Sequence, residues 1–119
     1  PLSAIDRLPD QIRTVIGAAL DRKASDVVVL ALRRAHGVAD YFVICSGGNP
    51  RQIKAIADAI ETLLRGLHVR PNHVEGHERA EWILIDYFDF IVHVFSHGTR
   101  LFYGLERLWG SAEQIEPRA

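Results

Sequence analysis

The sequence contains one cysteine, no methionine and no long apolar run. The single Cys45 excludes a framework of disulfides within the chain. No stretch reaches the roughly 18–20 consecutive apolar residues that a membrane-spanning helix needs. Residues 1–4 lack the basic and then apolar pattern of a secretion signal. We therefore expect a cytoplasmic protein that has no membrane as a partner.

An excess of positive charge is also missing. The chain has 14 Lys and Arg residues against 15 Asp and Glu residues, and its pI is about 6.7. Nonspecific affinity for a phosphate backbone needs several cations on one face of a protein. This balance disfavours direct binding to nucleic acid and favours a protein as the partner.

Three helices are predicted within a single domain that spans residues 1–119, with frayed ends at residues 1–7 and 110–119. Apolar spacing predicts the first helix over residues 8–24. The second begins after Asn49, which is suited to cap the helix, with Pro50 at its first position and Gln52 as the capping-box partner. The third covers residues 99–109. Its predicted apolar face consists of Leu101, Phe102, Leu105, Leu108 and Trp109.

Four β-strands are predicted from short apolar and β-branched runs. These strands cover residues 27–32, 41–45, 82–87 and 89–95. Ala35, His36 and Gly37 predict a turn between the first two strands, and residues 68–80 predict an exposed loop. The order of helix, two strands, helix, two strands and helix predicts an α/β (α+β) fold in which helices pack on a mixed β-sheet.

Four blocks of the chain resemble the ribosomal silencing factor S family, also called the Iojap or YbeB family. The matching residues are Asp40, Tyr41, Phe42, Val43, Ile44, Cys45, Ser46, Gly47, Arg51, Gln52, Ala55, Ile56, Glu75, Gly76, Trp82, Leu84, Asp86, Asp89, Val92, His93, Phe95, Arg100, Phe102, Tyr103, Leu105, Glu106, Leu108 and Trp109. The chain departs from the family at Phe88, where a small turn residue, commonly glycine, often precedes the aspartate. The resemblance implies a fold similar to that of nucleotidyltransferases.

The resemblance also implies a translational repressor that binds the large ribosomal subunit through its intersubunit-face protein, ribosomal protein uL14. Such a repressor prevents the small subunit from joining. A folded body tens of ångströms wide excludes the other subunit from a docking face by occupancy alone. No catalytic residue, cofactor or metal is therefore implied, and we expect the protein not to be an enzyme.

Candidate partner-binding residues are aromatic anchors and charged groups near the two last strands. These candidates are Trp82, Asp86, Tyr87, Phe88, Asp89, Arg100 and Tyr103. The four aromatic residues suit anchors at an interface, with burial in the core as the alternative. The two aspartates, near Glu75, Glu78 and Glu81, would face a basic ribosomal protein. Alternatively, they cap turns or pair with Arg100 and Arg107. Exposed aromatic residues and a sheet edge would also allow a homodimer.

The alternative function is Mg-dependent nucleotidyl transfer. Ser46, Gly47 and Gly48 precede a predicted helix N-terminus, which is a geometry that binds phosphate, and Asp86 and Asp89 follow on a later strand. Side chains three residues apart on a strand point to opposite faces. These two carboxylates would therefore share a metal only if the chain turned between them. We rank binding above catalysis.

The remaining residues with metal-binding chemistry predict no metal site. His73 and His77 are four residues apart, as are His93 and His97, but the first pair falls in a predicted loop and the second begins on a strand. We expect His93 to be a hydrogen-bonded core residue, and we expect Cys45 to be a small core hydrophobe.

Overall fold

A computed structural model describes residues 3–32 and 37–117 of the chain. The helices in these ranges are α1 (Asp10–Asp21), α2 (Pro50–Gly66), α3 (His97–Tyr103) and α4 (Leu105–Leu108). The strands are β1 (Ser25–Ala31), β2 (Tyr41–Gly47), β3 (His73–Glu75), β4 (Trp82–Asp86), β5 (Phe90–Ser96) and β6 (Glu113–Ile115). None of these helices is both long enough and apolar enough to cross a membrane.

The strands form one sheet in the order β3-β4-β5-β2-β1-β6. β2 and β5 lie parallel at its centre, and every other neighbouring pair is antiparallel. Because β2 and β5 are parallel, the chain must cross over between them, and α2 with the β3–β4 hairpin makes that crossing. The predicted α/β fold with a mixed sheet is confirmed.

The helices cover the two faces of the sheet. We call the face beneath α1 and α2 the inner face and the face beneath α3 and α4 the outer face. Side chains alternate along each strand, so Ile83 and Ile85 of β4 pack on the inner face, whereas Trp82 and Leu84 lie on the outer face. The inner face carries the larger core. The outer core is smaller, and Leu105 of α4 completes it.

The start of α2 follows the sequence prediction. The Asn49 side chain accepts a hydrogen bond from the Gln52 amide at 2.8 Å, and the Gln52 side-chain oxygen accepts one from the Gly48 amide. The Gln52 amide group also donates to the carbonyls of Arg22 and Lys23. The predicted cap is thus confirmed, and the same glutamine joins α2 to the end of α1.

Three predicted features differ in the structure. The single third helix divides at Gly104, whose φ of +55° places it in the left-handed region. The predicted loop over residues 68–80 contains β3, which pairs with β4. The tail does not fray throughout, because Glu113–Ile115 pairs with β1 as an edge strand. The turn predicted at Ala35 and His36 lies outside the described residues.

Candidate protein-binding surface

An exposed aromatic patch lies on α3 beside β4. Phe102 is 76% exposed and Tyr103 is 50% exposed, and no apolar residue of α3 is buried. Their rings lie 5.1 Å apart, and the Tyr103 ring lies 4.7 Å from that of half-buried Trp82. We call Trp82, Phe102 and Tyr103 the outer patch. Clustered apolar groups of this kind on a soluble domain are typical of a binding surface.

The sequence predicts an apolar face that includes Phe102 on the third helix, and in the structure only Leu105 of that face is buried. Leu101, Phe102 and Tyr103 are consecutive, and consecutive residues on a helix point in directions about 100° apart. One face of the helix cannot bury all three side chains. Leu101 and Leu108 are likewise 79% and 72% exposed. The run of three apolar residues was therefore the signal that some of them face outward.

A groove of about 460 Å³ opens beside the outer patch. Gly76, Glu81 and Thr99 line it together with the three aromatic residues of the patch. The groove gives an inserted side chain of a partner the faces of these aromatic rings and, at its edge, the ion pair between Arg79 and Glu81. Pockets that surround one anchor in this way are typical of the centre of a protein interface.

The β4–β5 hairpin ends in an exposed aromatic residue. Phe88 is 67% exposed and has a φ of +77°, whereas the next residue, Asp89, has an ordinary φ. Hairpin turns that need a positive φ at their first central residue usually have glycine there. The Asp86 carboxylate accepts a hydrogen bond from the Phe88 amide at 2.8 Å and so supports this conformation. A bulky residue is thus held where the backbone favours glycine.

Tyr87 belongs to the core and is not exposed as an anchor would be. The residue is 7% exposed and its ring stacks on Phe90 at 5.0 Å, on the inner face of the sheet. Its hydroxyl has no hydrogen-bond partner in the described part of the chain. Burial, with Glu61 nearby, raises the pKa of Tyr87 to about 12. The prediction that Tyr87 is an interface anchor is corrected, because the strand alternation turns it toward α2.

Arg100 is used inside the fold. Its side chain is 11% exposed, and its guanidinium donates to both Glu106 oxygens and to the buried Ser46 hydroxyl at 2.9 Å. This cluster ties α3 and α4 to the end of β2. A charge-assisted, largely buried pair of this kind fixes geometry more than it attracts partners. Arg100 therefore holds α3 in place, and only a small part of its side chain is left for contact with a partner.

The predicted acidic patch is smaller than the sequence indicated. Glu81 pairs with Arg79 at 2.9 Å, and Glu75 lies 3.1 Å from His73. Asp86 caps the hairpin turn, as the alternative prediction had it, while remaining partly exposed. Asp89 is exposed at the turn. Two of the five predicted acidic residues thus lie against basic side chains, whereas Asp86 and Asp89 place carboxylates at the hairpin.

A buried histidine lies beneath the outer patch. His93 is 3% exposed, and its Nδ1 accepts a hydrogen bond from the Trp82 indole nitrogen at 3.1 Å. Its Nε2 has no hydrogen-bond partner among residues 3–32 and 37–117. A buried polar group without a partner costs about 1–3 kcal/mol. The prediction of a hydrogen-bonded core histidine is confirmed on one of the two ring nitrogens.

Protonation of His93 should make folding stability depend on pH. Burial lowers its pKa to about 3, whereas the unfolded chain titrates near 6.5. The unfolded state therefore binds the proton first, so the stabilisation is complete above pH ~6.5 and is lost as the pH falls toward 3. Between pH 7 and pH 5 we expect the free energy of unfolding to fall by about 2 kcal/mol through this group.

Urea denaturation of the wild type and His93→Phe at several pH values measures this loss. The variant lacks the titrating group. Between pH 7 and pH 5 its free energy of unfolding should therefore fall by about 2 kcal/mol less than that of the wild type. The other histidines and the carboxylates are common to both proteins. Parallel pH profiles for the two would contradict the expectation.

The two halves of the predicted nucleotidyl-transfer site lie at opposite ends of the sheet. Gly47 pairs with Ser96 at one end of β5, and Asp86 pairs with Ile91 near the other end. Five residues of strand separate these positions by about 17 Å. A Cβ on Gly47 would lie 2.8 Å from the Ile53 side chain. The close packing of β2 on α2 therefore explains why position 47 is a glycine. The pair of motifs therefore does not form one site.

The side chains with metal-binding chemistry are used in other ways. His77 lies 2.8 Å from Asp58, which joins the β3–β4 connection to α2. Although the chain does turn between Asp86 and Asp89, no group of three or more His, Cys, Asp or Glu residues arranged to hold a metal ion occurs among the described residues. Burial raises the pKa of the Cys45 thiol to about 12, so it remains an unreactive thiol in the core.

Comparison with known proteins identifies the family. The profile described as "Ribosomal silencing factor during starvation" matches residues 5–119. The chain belongs to the ribosomal silencing factor family. A ribosomal silencing factor of Halalkalibacterium halodurans is 37% identical over 105 residues, which cover 88% of this chain and 90% of that protein. This result confirms the resemblance found in the sequence.

Solved structures and more distant relatives agree with this membership. A crystal structure of a protein from Chromobacterium violaceum has a TM-score of 0.82 at 29% identity and covers 92% of each chain. The mouse protein "Mitochondrial assembly of ribosomal large subunit protein 1" is 27% identical over 82% of this chain, which corresponds to 44% of that longer protein. As a ribosomal silencing factor, the chain is a regulator that associates with the ribosome.

Proposed function

We propose that the chain binds the large ribosomal subunit through ribosomal protein uL14 and blocks the small subunit by occupying its docking face. The observation that carries this proposal is the outer patch, because α3 exposes its aromatic side chains instead of burying them. The partial burial of Trp82 beneath them supplies a rigid centre. Anchors of this type contribute most of the affinity at protein interfaces.

The proposed docking surface runs along the outer side of β4. It begins at the outer patch, continues through Leu84 and Asp86 on the same face of the strand, and ends at Phe88. Trp82 and Asp86 are four residues apart, or about 13 Å along an extended strand. An interface of standard size covers roughly 800 Å² on each partner, about one ninth of the 7024 Å² surface of this chain.

The charge of the docking surface supports a basic protein as the partner. Asp86 and Asp89 place carboxylates at the hairpin end of the docking surface. Complementary charge sets the rate and orientation of encounter more than the affinity. The name of the mouse relative, which refers to assembly of the ribosomal large subunit, supports the choice of subunit.

The size of the domain supports a steric mechanism. Its principal dimensions are 37 × 33 × 28 Å. A body of that thickness on an intersubunit face keeps the opposing surfaces far beyond contact distance. Inhibition then needs affinity and placement but no reaction, in keeping with a protein that is not an enzyme.

Replacing Phe88 with Gly should separate binding from stability. A positive φ costs a bulky residue about 1–2 kcal/mol, and glycine avoids that cost. Part of this gain is lost, because glycine gives the unfolded chain more conformational entropy. The free energy of unfolding should therefore stay the same or rise by up to about 1 kcal/mol. The affinity for isolated large subunits should fall by about 5- to 30-fold, because an exposed anchor is lost. Cosedimentation measures the affinity, and urea denaturation measures the stability.

His68→Gly is the matched control for Phe88→Gly. His68 is also exposed and has a φ of +64°, but it lies at the end of α2, on the layer that covers the inner face. The control should gain stability in the same way while binding large subunits as the wild type does. Equal affinity of wild type and Phe88→Gly would remove the hairpin from the docking surface. Absence of any cosedimentation of the wild type at micromolar concentration would refute the proposed function.

Self-association is a second candidate function, which the exposed side chains of α3 also support. Both edge strands are only three residues long and carry polar side chains, which disfavours pairing of sheets edge to edge. A homodimer would then use the outer patch. Sedimentation equilibrium of the wild type and Phe102→Ser tests this, and we expect any dimer to weaken in the variant.

A further inference from the structure

His93 contacts the docking surface only from beneath. The ring is 3% exposed, so no partner can reach it, yet its Nδ1 lies 3.1 Å from the Trp82 indole nitrogen. The Phe42 ring packs edge-on against it at 4.6 Å, and the Phe95 ring stacks on it at 6.0 Å. These contacts hold the imidazole in a fixed orientation within the outer core.

The hydrogen bond determines which ring nitrogen carries the proton. An indole N–H can only donate, so His93 Nδ1 must be the acceptor and the proton must lie on Nε2. That Nε2–H then has no acceptor within the described residues. Leaving a buried donor without a partner lowers stability, and a phenyl ring in this position would avoid that cost. The histidine therefore has a role that an apolar ring cannot fill, and the only polar bond that the ring makes within the described residues is the one to Trp82.

We propose that His93 is a positioning residue that holds the Trp82 indole in the orientation needed for docking. This proposal rests on the proposed function, because it concerns the same surface. Trp82 lies against Phe95 at 4.9 Å on one side and against Tyr103 at 4.7 Å on the other. An indole that rotates would therefore move Tyr103 and change the wall of the groove. His93 acts on the partner only through Trp82.

His93→Phe and His93→Asn test the proposal together. The first keeps a ring of similar size and removes the acceptor. The second places an amide oxygen near the position of Nδ1 and so keeps an acceptor. We expect His93→Phe to be at least as stable as the wild type at pH 7, yet to bind large subunits about tenfold more weakly. We expect His93→Asn to be less stable, because it leaves a cavity, but to recover part of the affinity.

The indole N–H resonance of Trp82 gives a readout that a merely structural role would not move. It is assigned in a ¹⁵N-labelled sample by comparison with Trp82→Phe. In the wild type it should be shifted by the hydrogen bond and should exchange slowly with solvent. In His93→Phe it should lose both properties, and in His93→Asn it should keep them.

Several outcomes would overturn the proposal. Wild-type affinity in His93→Phe would show that the orientation of Trp82 does not matter for docking. A wild-type imidazole protonated on Nδ1, or an indole N–H that exchanges rapidly with solvent, would show that the hydrogen bond is absent. This measurement needs only the wild type, so it remains available if His93→Phe does not fold. If the wild type does not bind large subunits, the proposed function fails. The indole resonance still decides whether His93 positions Trp82.

Discussion

Trp82→Ala should weaken binding to the large ribosomal subunit by about 5- to 150-fold, or about 1–3 kcal/mol. Trp82 forms the half-buried floor of the outer patch, where its ring contacts Tyr103 and Phe95. Truncation removes the anchor, opens the groove and frees the neighbouring tyrosine. Titration of labelled protein into isolated large subunits measures the loss.

Tyr87 provides the control for Trp82→Ala. Tyr87→Phe removes only a buried hydroxyl that has no partner within residues 3–32 and 37–117, so it should retain both wild-type affinity and wild-type or greater stability. Tyr87→Ala should lower the free energy of unfolding by about 3–5 kcal/mol, because it empties part of the inner core. A folded Trp82→Ala protein that binds as tightly as Tyr87→Phe would exclude the outer patch from the interface.

Gly76→Ala should lower the free energy of unfolding by about 3 kcal/mol or more. Gly76 has a φ of +82°, and a Cβ added there would lie 2.0 Å from the Trp82 carbonyl oxygen. Both the backbone conformation and the space exclude a side chain, and the clash is with main chain that cannot rotate away. We expect the urea midpoint to fall with little change in the slope of the transition.

Gly17→Ala is the control for this substitution. Gly17 lies in α1, is exposed, and a Cβ there would meet nothing within 4 Å. Because alanine favours a helix, the variant should be more stable than the wild type by about 0.5–1 kcal/mol. A Gly76→Ala protein as stable as the wild type would mean that β3 and β4 approach each other less closely than described.

Local patterns in the sequence predicted the central sheet and α2. The apolar runs of β1, β2 and β5 are long enough to identify strands, and Asn49 with Gln52 identifies the start of α2. Such signals depend on neighbouring residues only. Family membership was also predicted, because matches in four separate blocks can be recognised from the sequence alone.

The position of each candidate at the surface or in the core was harder to predict. Tyr87 and Phe88 are adjacent aromatic residues, and only the hairpin geometry buries the first and exposes the second. Arg100 has partners six and 54 residues away along the chain, so no local pattern could identify its buried cluster. β3 and β6 are three residues long and owe their strand conformation to the neighbour with which they pair.

Subunit joining tests the central claim most directly. Large subunits are incubated with the protein at saturating concentration, small subunits are added, and the fraction of joined ribosomes is followed by light scattering and sucrose gradients. We predict that joining falls as the wild-type concentration rises, that Trp82→Ala inhibits only at proportionally higher concentration, and that Tyr87→Phe inhibits as the wild type does. Undiminished joining on large subunits shown to carry the protein would contradict the account.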